Sequence, residues 1–282
     1  MGAGRAVRRR ARVETRVTRL SLEHVSFWYP ATDTPALADV SLEVAGGEVV
    51  ALVGAVGAGA STLLLVAADL APRVVGGRLE GAVDFRGRGN GEGGRGIVLP
   101  TPWTQVSGMA FTVWDEVAFG PANLGWPREQ ITRHVDRALA RLDIAALRAR
   151  EPATLSGGEL QRVIIAGILA MDPALVLFDE PTAELDPAGA RMLWRLVRSL
   201  AAEGKAVIVA TSDLDALPDV ADRVVWLEQG RAKKIGPPAL LAEDALCAAG
   251  LGTAVAVVWR AGGLPRPYPL TVDDAVRLWR HR

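Results

Sequence analysis

The sequence predicts an α/β fold with a buried, mostly parallel sheet, and two observations lead to that prediction. Short uncharged apolar runs recur along the chain, and stretches of helical periodicity separate them. Such runs are typical of parallel strands that helices cover on both faces. Half of the 282 residues are hydrophobic, so the chain is long and apolar enough for one large domain or two modest ones.

The elements follow one another in a definite order. β-like runs between 20 and 44 lead through a turn into a buried strand at 49–53 and then into a glycine loop. An alternating edge strand is expected at 79–85, and a helical insertion at about 112–150 includes an amphipathic stretch over 128–147. The other predicted elements are a helix at 61–70, strands at 175–178, 206–210 and 224–227, and a short helix at 271–280.

The charge is balanced overall but uneven along the chain. The formal net charge is zero, which gives no indication of nucleic acid as a partner. The first 19 residues, however, hold seven Arg against one acidic residue, Glu14. We expect a disordered basic leader here, and a contact with anionic lipid is the alternative. Cys247 is the only cysteine, so no intrachain disulfide can form and a reducing compartment is allowed.

Residues 49–68 carry no charge and are numerous enough for a transmembrane helix. Three glycines and two hydroxyl residues interrupt that stretch, and they fit a strand, a tight loop and a helix start better than one continuous helix. We therefore expect partner proteins, and not this chain, to cross the bilayer.

The glycine loop at 54–61 matches the phosphate-loop pattern G-x-x-x-x-G-K-[ST] except that Ala60 stands at the lysine position. Glycines let backbone amides turn toward a phosphate, and a hydroxyl can join a magnesium shell. A charged hydrogen bond contributes about 1.5 to 3 kcal/mol, so the missing lysine should weaken ATP binding by roughly 10- to 150-fold. A turn that holds no ligand is the alternative. The candidate ATP-binding residues of this loop are Gly54, Gly57, Gly59, Ala60, Ser61 and Thr62.

Two acidic residues end the apolar strand at 175–178, an arrangement known as Walker B. Asp179 is expected to lie near the magnesium ion, together with Ser61, and Glu180 to orient or deprotonate the attacking water. A strand that ends in acids can equally be structural. The sequence thus predicts ATP and Mg²⁺ as ligands, with Glu180 as the candidate catalytic residue.

The segment LSGGE lies between these two motifs, and it resembles the signature motif of ABC ATPases. The resemblance implies a P-loop NTPase fold of the ABC ATPase type, with a RecA-like core, an antiparallel β subdomain and a helical subdomain. It also implies that the serine and the glycine amides contact the γ-phosphate of ATP held by the opposite subunit of a dimer. The segment consists of Leu155, Ser156, Gly157, Gly158 and Glu159.

Other family landmarks are partly kept and partly lost. Tyr29 matches the aromatic residue that stacks on adenine, and Asp186 matches the D-loop aspartate. Pro100 stands where the family has the Q-loop glutamine, and Ser212 stands where it has the switch histidine. The resemblance implies that the missing lysine, glutamine and histidine all serve the nucleotide of this chain's own site, whereas the signature serves the partner's nucleotide.

The segments at 102–105 and 118–125 read PWTQ and AFGPANLG, and they resemble those of energy-coupling-factor (ECF) ATPases. The resemblance implies an ATPase domain at 20–245 with a helical subdomain at about 106–165, and a C-terminal extension at 246–282. It also implies a second ATPase subunit, a transmembrane coupling protein and a substrate-capture protein as partners, at the cytoplasmic face of the membrane. The cargo of such importers is a vitamin or a transition metal ion.

The sequence therefore predicts a subunit that completes a competent partner's site and hydrolyses little ATP at its own. A pseudo-ATPase scaffold or regulator is the alternative. An ATPase that handles DNA or ribosomes is disfavoured by the single ABC core and the importer-like segment at 118–125.

Overall fold

The computed structural model describes residues 18–87 and 94–280. The prediction of a disordered leader at 1–19 falls almost entirely outside these ranges. Within them, the strands are β1 (Thr18–Trp28), β2 (Leu37–Ala45), β3 (Val49–Val53), β4 (Arg78–Phe85), β5 (Arg95–Val98), β6 (Leu175–Asp179), β7 (Ala206–Ala210), β8 (Arg223–Glu228) and β9 (Arg231–Gly236). The α-helices are α1 (Ala60–Ala67), α2 (Val113–Asn123), α3 (Arg128–Arg141), α4 (Gly157–Ala170), α5 (Pro187–Ala202), α6 (Leu217–Val220), α7 (Asp244–Ala248), α8 (Ala254–Ala261) and α9 (Val272–Arg280).

The larger sheet has six strands in the order β5-β6-β7-β3-β8-β9. All neighbouring pairs are parallel except β8 and β9, which are antiparallel. Every residue of β3, β6 and β7 is buried, as the uncharged runs predict. Because parallel strands end at the same edge, the segments that follow β3, β6 and β7 lie close together at the carboxyl edge of this sheet.

A smaller antiparallel sheet has the order β2-β1-β4. Alternate residues of β2 are buried, which is the pattern of a sheet with one face on a core. The expected edge strand at 79–85 is confirmed as β4. Together the two sheets and their helices form the predicted α/β fold.

The buried strands separate two apolar layers. Val176 and Phe178 of β6 pack with α2 to α5 on one face of the sheet. Leu175 and Leu177 of the same strand pack on the other face with α1 and the antiparallel sheet. This two-sided burial is the physical reason that β3, β6 and β7 are apolar along their length, apart from Asp179 at the carboxyl end of β6.

Two predicted helices are shorter than expected. α1 ends at Ala67, and Asp69 just beyond it has a positive φ of 64°, which a continuing helix does not allow. The amphipathic stretch over 128–147 breaks after α3, because Asp143 has a φ of 54° and a short 3₁₀ turn follows over Ala145–Leu147. The short helix predicted at 271–280 is confirmed as α9. In the described parts of the chain, no helix combines the length and hydrophobicity that a membrane span requires.

Candidate functional site

The glycine loop joins β3 to α1 at the carboxyl edge of the large sheet. Gly57 and Gly59 have φ values of 82° and 104°, a region that other residues adopt at a cost. Gly54 is required for packing, since a Cβ on it would lie 2.6 Å from the carbonyl oxygen of Leu227. These glycines set the path of the loop, so the backbone can approach a ligand closely.

Ala60 is the first residue of α1 and is partly buried. The first amides of any α-helix have no acceptor within the helix, so the start of α1 offers N–H donors and a favourable dipole to an anion. Thr62, in the first turn, lies 3.1 Å (Oγ1 to Oη) from Tyr29. That contact places the Tyr29 ring beside the loop, where it also packs edge-on against Phe27 with ring centroids 5.0 Å apart.

Asp179 is the last residue of β6, and only 4% of it is exposed. Burial raises the pKa of its carboxyl group, and a hydrogen bond with Ser61 of the glycine loop opposes that rise. Glu180 follows in the left-handed region with a φ of 45°, and its amide donates to the carbonyl of Ala210 at 2.9 Å. The two carboxylates thus line the same cavity as the loop, from the end of β6, which is separated from β3 by β7.

Ser212 holds the side chain of Glu180. The Ser212 amide and hydroxyl both lie within hydrogen-bond distance of Glu180 Oε2, at 3.0 and 3.1 Å. The segment after β7 is fixed in turn, because Asp213 accepts a hydrogen bond from Trp194 Nε1 at 3.0 Å. Sequence reasoning identified Ser212 only as a missing histidine, and nothing in the local sequence indicates this pairing.

These groups line one cavity of about 490 Å³. It brings together the glycine loop, Tyr29, Pro100, Asp179, Glu180 and Ser212. Of the described residues that line it, two are acidic and none is Lys, Arg or His. The cavity therefore offers backbone donors and two carboxylates, with no cationic side chain among its described lining residues.

The LSGGE segment lies elsewhere, at the start of α4. Ser156 caps this helix in a capping box: its hydroxyl accepts from the Glu159 amide at 3.3 Å, and Glu159 accepts from the Ser156 amide at 2.9 Å. That backbone hydrogen bond is the main cause that lowers the pKa of Glu159. Gly157 and Gly158, which follow the cap at the helix N-terminus, are only partly buried.

A second cleft, of about 880 Å³, contains Ser156 to Glu159 together with Asp186. Asp186 caps α5 by accepting from the Gly189 amide at 2.7 Å. Glu184 packs against the signature, since a Cβ on Gly157 would lie 2.7 Å from its Oε2. No described residue lines both this cleft and the cavity at the glycine loop. The structure thus separates the predicted site residues into two groups.

Two glutamines that were not predicted as site residues form hydrogen bonds to the backbone next to the site. Gln105 braces the chain around Pro100: its Oε1 accepts from the Leu99 amide at 2.6 Å and its Nε2 donates to the Ile97 carbonyl at 3.0 Å. Gln161 of α4 is 1% exposed and donates to the Pro181 carbonyl at 3.5 Å. The run LSGGELQR contains Gln161, but only the fold shows what it contacts.

Comparison with known proteins shows the family to which this chain belongs. The sequence model of the ABC transporter family matches residues 37–183, a span that holds both the glycine loop and the LSGGE segment. This chain belongs to the ATP-binding proteins of ABC transporters.

Particular relatives come from energy-coupling-factor systems. The chain is 36% identical over 275 residues to the ECF transporter ATP-binding protein EcfA2 of Methanospirillum hungatei, covering 93% of this chain and 68% of that protein. It is 40% identical over 228 residues to EcfA1 of Lacticaseibacillus paracasei, covering 78% of this chain and 79% of that protein. Some relatives are longer, and the chain spans 38% of a putative ABC transporter ATP-binding protein of Methanosarcina mazei.

A solved structure has the same fold. CbiO1 of Clostridium perfringens, described as part of the ABC transporter complex cbiONQ, superposes with a TM-score of 0.68 at 30% identity. The match covers 83% of this chain and 94% of that one. The ABC ATPase fold expected from the signature is thereby confirmed.

Proposed function

We propose that this chain is the nucleotide-binding subunit of an ECF-type importer and that it works in a dimer with a competent ATPase. Its signature, Ser156 to Glu159, completes the partner's ATP site. Its own site binds ATP weakly and hydrolyses little of it. The chain would therefore contribute mainly to catalysis at a site whose P-loop belongs to its partner.

The contrast between the two clefts supports this proposal. The signature cleft has its helix cap and its glycines in place, so it can offer N–H donors to an incoming phosphate. The cavity at the glycine loop has Ala60 where a lysine would stabilise phosphate charge, and its described lining residues include no other cation. The signature cleft therefore has the groups that catalysis needs, whereas the cavity at the glycine loop lacks its cation.

The donors beside the glycine loop suit magnesium. Mg²⁺ prefers oxygen ligands and is usually held by one or two carboxylates together with substrate phosphates. The Asp179 carboxylate and the Ser61 hydroxyl line the same cavity at the loop, and they would hold the ion. When bound, Mg²⁺ would neutralise phosphate charge, and the chain's own residues would orient the nucleotide around it. Glu180, held by Ser212, would orient or deprotonate water if hydrolysis occurred here.

Exposed apolar side chains support a membrane-protein partner. Trp103, Met109 and Phe111 are 51%, 72% and 86% exposed, and Phe119 and Leu124 of the neighbouring segment are also exposed. Several exposed large apolar side chains within one stretch of chain, 103–124, are typical of a protein interaction site. We propose that the transmembrane coupling protein docks here, on the cytoplasmic side, and that a separate capture protein selects a vitamin or metal ion.

Two substitutions in the pair test the division of labour. Ser156→Arg puts a bulky cation at the signature and should abolish ATP turnover, whereas Glu180→Gln should change it little. Thr271→Arg is the matched control, because Thr271 caps α9 in the same way but lines neither cleft. Turnover that survives Ser156→Arg but is lost in Glu180→Gln would sink the proposal.

The alternative is a scaffold or regulator that never closes over nucleotide. The described lining of the cavity at the glycine loop contains no cationic side chain, and this favours the scaffold function. Equilibrium dialysis with radiolabelled ATP separates the two functions. No saturable binding by the chain or by its pair would support the scaffold.

A further inference from the structure

The charges around the glycine loop affect whether this chain prefers a nucleoside diphosphate or a nucleoside triphosphate. In a phosphate loop, backbone amides hold the inner phosphates and the lysine reaches the outermost pair. Here the glycines and the start of α1 keep the amide donors, while Ala60 removes the cation. The α- and β-phosphates of a nucleotide therefore keep their amide donors, although the β-phosphate also loses the lysine, whereas the γ-phosphate loses the one partner that the loop would give it.

The other positions around the cavity do not replace that cation. Pro100 has no N–H and no polar side chain to offer. Ser212 has two donors, but both lie at hydrogen-bond distance from Glu180 Oε2, at 3.0 and 3.1 Å. A third phosphate would bring further negative charge toward Asp179 and Glu180 without a new donor.

We infer that this chain by itself is a site for a magnesium-bound nucleoside diphosphate, and that it binds Mg-ADP at least as tightly as Mg-ATP. The inference rests on the proposed function, since it assumes that adenine nucleotides bind at this loop. It adds that the γ-phosphate contributes no affinity until the partner's signature contacts it.

The same charges make binding depend on a divalent cation. Two carboxylates face an anionic ligand, and the loop's own lysine is absent. A cation carried with the nucleotide would reduce that repulsion, and Asp179 and Ser61, which line the same cavity, are the groups placed to receive it. Removing Mg²⁺ should therefore abolish binding of both nucleotides.

Isothermal titration of the full chain with ADP and with ATP, each with excess Mg²⁺ and again with EDTA, measures both effects. We expect an ADP affinity equal to or above that for ATP, and no binding in EDTA. Ala60→Lys should strengthen Mg-ATP binding by about 10- to 150-fold and Mg-ADP binding by less. Ala60→Met supplies similar length without charge and should leave the ratio of the two affinities unchanged.

The outcomes distinguish failure of the inferred nucleotide preference from failure of the proposed function. A wild-type chain that prefers Mg-ATP by tenfold or more, or nucleotide binding that persists in EDTA, overturns the inference but leaves the proposed function intact. Failure of the chain to bind either nucleotide overturns nucleotide binding itself. If Ala60→Lys does not fold, Glu180→Gln removes one negative charge and should shift the affinity ratio several-fold toward ATP. An unchanged ratio in that variant also overturns the inference.

Discussion

Ser212 directs both of its hydrogen-bond donors, the backbone N–H and the hydroxyl, to one oxygen of Glu180. The candidate catalytic carboxylate is thus fixed by the residue that stands at the switch-histidine position. A serine is too short to reach beyond Glu180 to a phosphate while it makes this contact. The relationship keeps Glu180 in place and leaves the outer phosphate without a donor from this segment.

Restoring the three missing groups together should restore hydrolysis at the chain's own site. Groups that act as a unit are strongly non-additive, so each single change should give little. We expect the triple variant Ala60→Lys, Pro100→Gln, Ser212→His to hydrolyse ATP at least about tenfold faster than any single variant. Phosphate release by the purified chain, which keeps its own signature, measures the rate.

The control adds Ser156→Arg to the triple variant. Turnover should then disappear, because the signature of a second copy is needed to complete the site. A triple variant that binds Mg-ATP tightly but stays inactive would show that the defect lies outside these three positions.

Asp179 should be destabilising in the nucleotide-free chain at neutral pH. Burial raises its folded-state pKa above the ordinary value of 3.8, so the folded state binds the proton more tightly than the unfolded state. Stability is therefore lost as the pH rises from 3.8 through the folded pKa. Asp179→Asn removes this cost and should raise the melting temperature at pH 7 in EDTA.

The gain from Asp179→Asn should shrink as the assay pH falls through the folded-state pKa and should vanish below 3.8, where the wild-type carboxyl is protonated in both states. Saturating Mg-ADP should reverse the order, because the carboxylate then has a cation to bind. A stabilisation that is the same at acid and neutral pH would argue against burial of charge as its cause.

The sequence predicted the parts of the site that depend on local pattern. Gly54 to Ser61 and the strand ending at Asp179 each carry a pattern that dictates conformation, so their places in the fold followed from residue types alone. The contacts of Gln161 with Pro181 and of Ser212 with Glu180 join segments that no local rule connects. They follow from the order of strands in the sheet, which periodicity does not specify.

The ends of helices were the other feature that the sequence pattern did not predict. The stretch over 128–147 is amphipathic throughout, and both Leu142 and Ile144 are buried beyond the end of α3. Hydrophobic periodicity therefore continues through the turn. The positive φ of Asp143 ends the helix, and aspartate tolerates that conformation without being a reliable signal for it.

Gln161 should tolerate loss of its polarity but not the gain of a charge. Its Oε1 lacks a hydrogen-bond partner among the described residues, while its Nε2 makes a long contact of 3.5 Å. Gln161→Leu removes both groups and should change the free energy of unfolding by less than about 1 kcal/mol. Gln161→Glu buries an unpaired carboxylate and should cost about 3 kcal/mol at neutral pH.

Urea unfolding midpoints of the two variants at pH 7 and at pH 5 test this. Protonation of the new carboxyl should recover part of the loss at the lower pH. Equal losses in Gln161→Leu and Gln161→Glu would show that the amide's link to Pro181 matters more than burial of charge.

Gly59 and Gly57 separate two costs that a glycine loop imposes. Both residues have positive φ, at 104° and 82°. A Cβ on Gly59 would lie 2.8 Å from the Ala36 carbonyl oxygen, whereas nothing lies within 4 Å of a Cβ on Gly57. Gly57→Ala should therefore cost only the backbone strain, about 1 to 2 kcal/mol. Gly59→Ala should add a steric clash and cost at least about 1 kcal/mol more. Midpoints of urea unfolding at unchanged slope measure both losses. If the two alanine variants lose the same stability, the close approach of Ala36 is not what fixes the loop, and its conformation depends on φ alone.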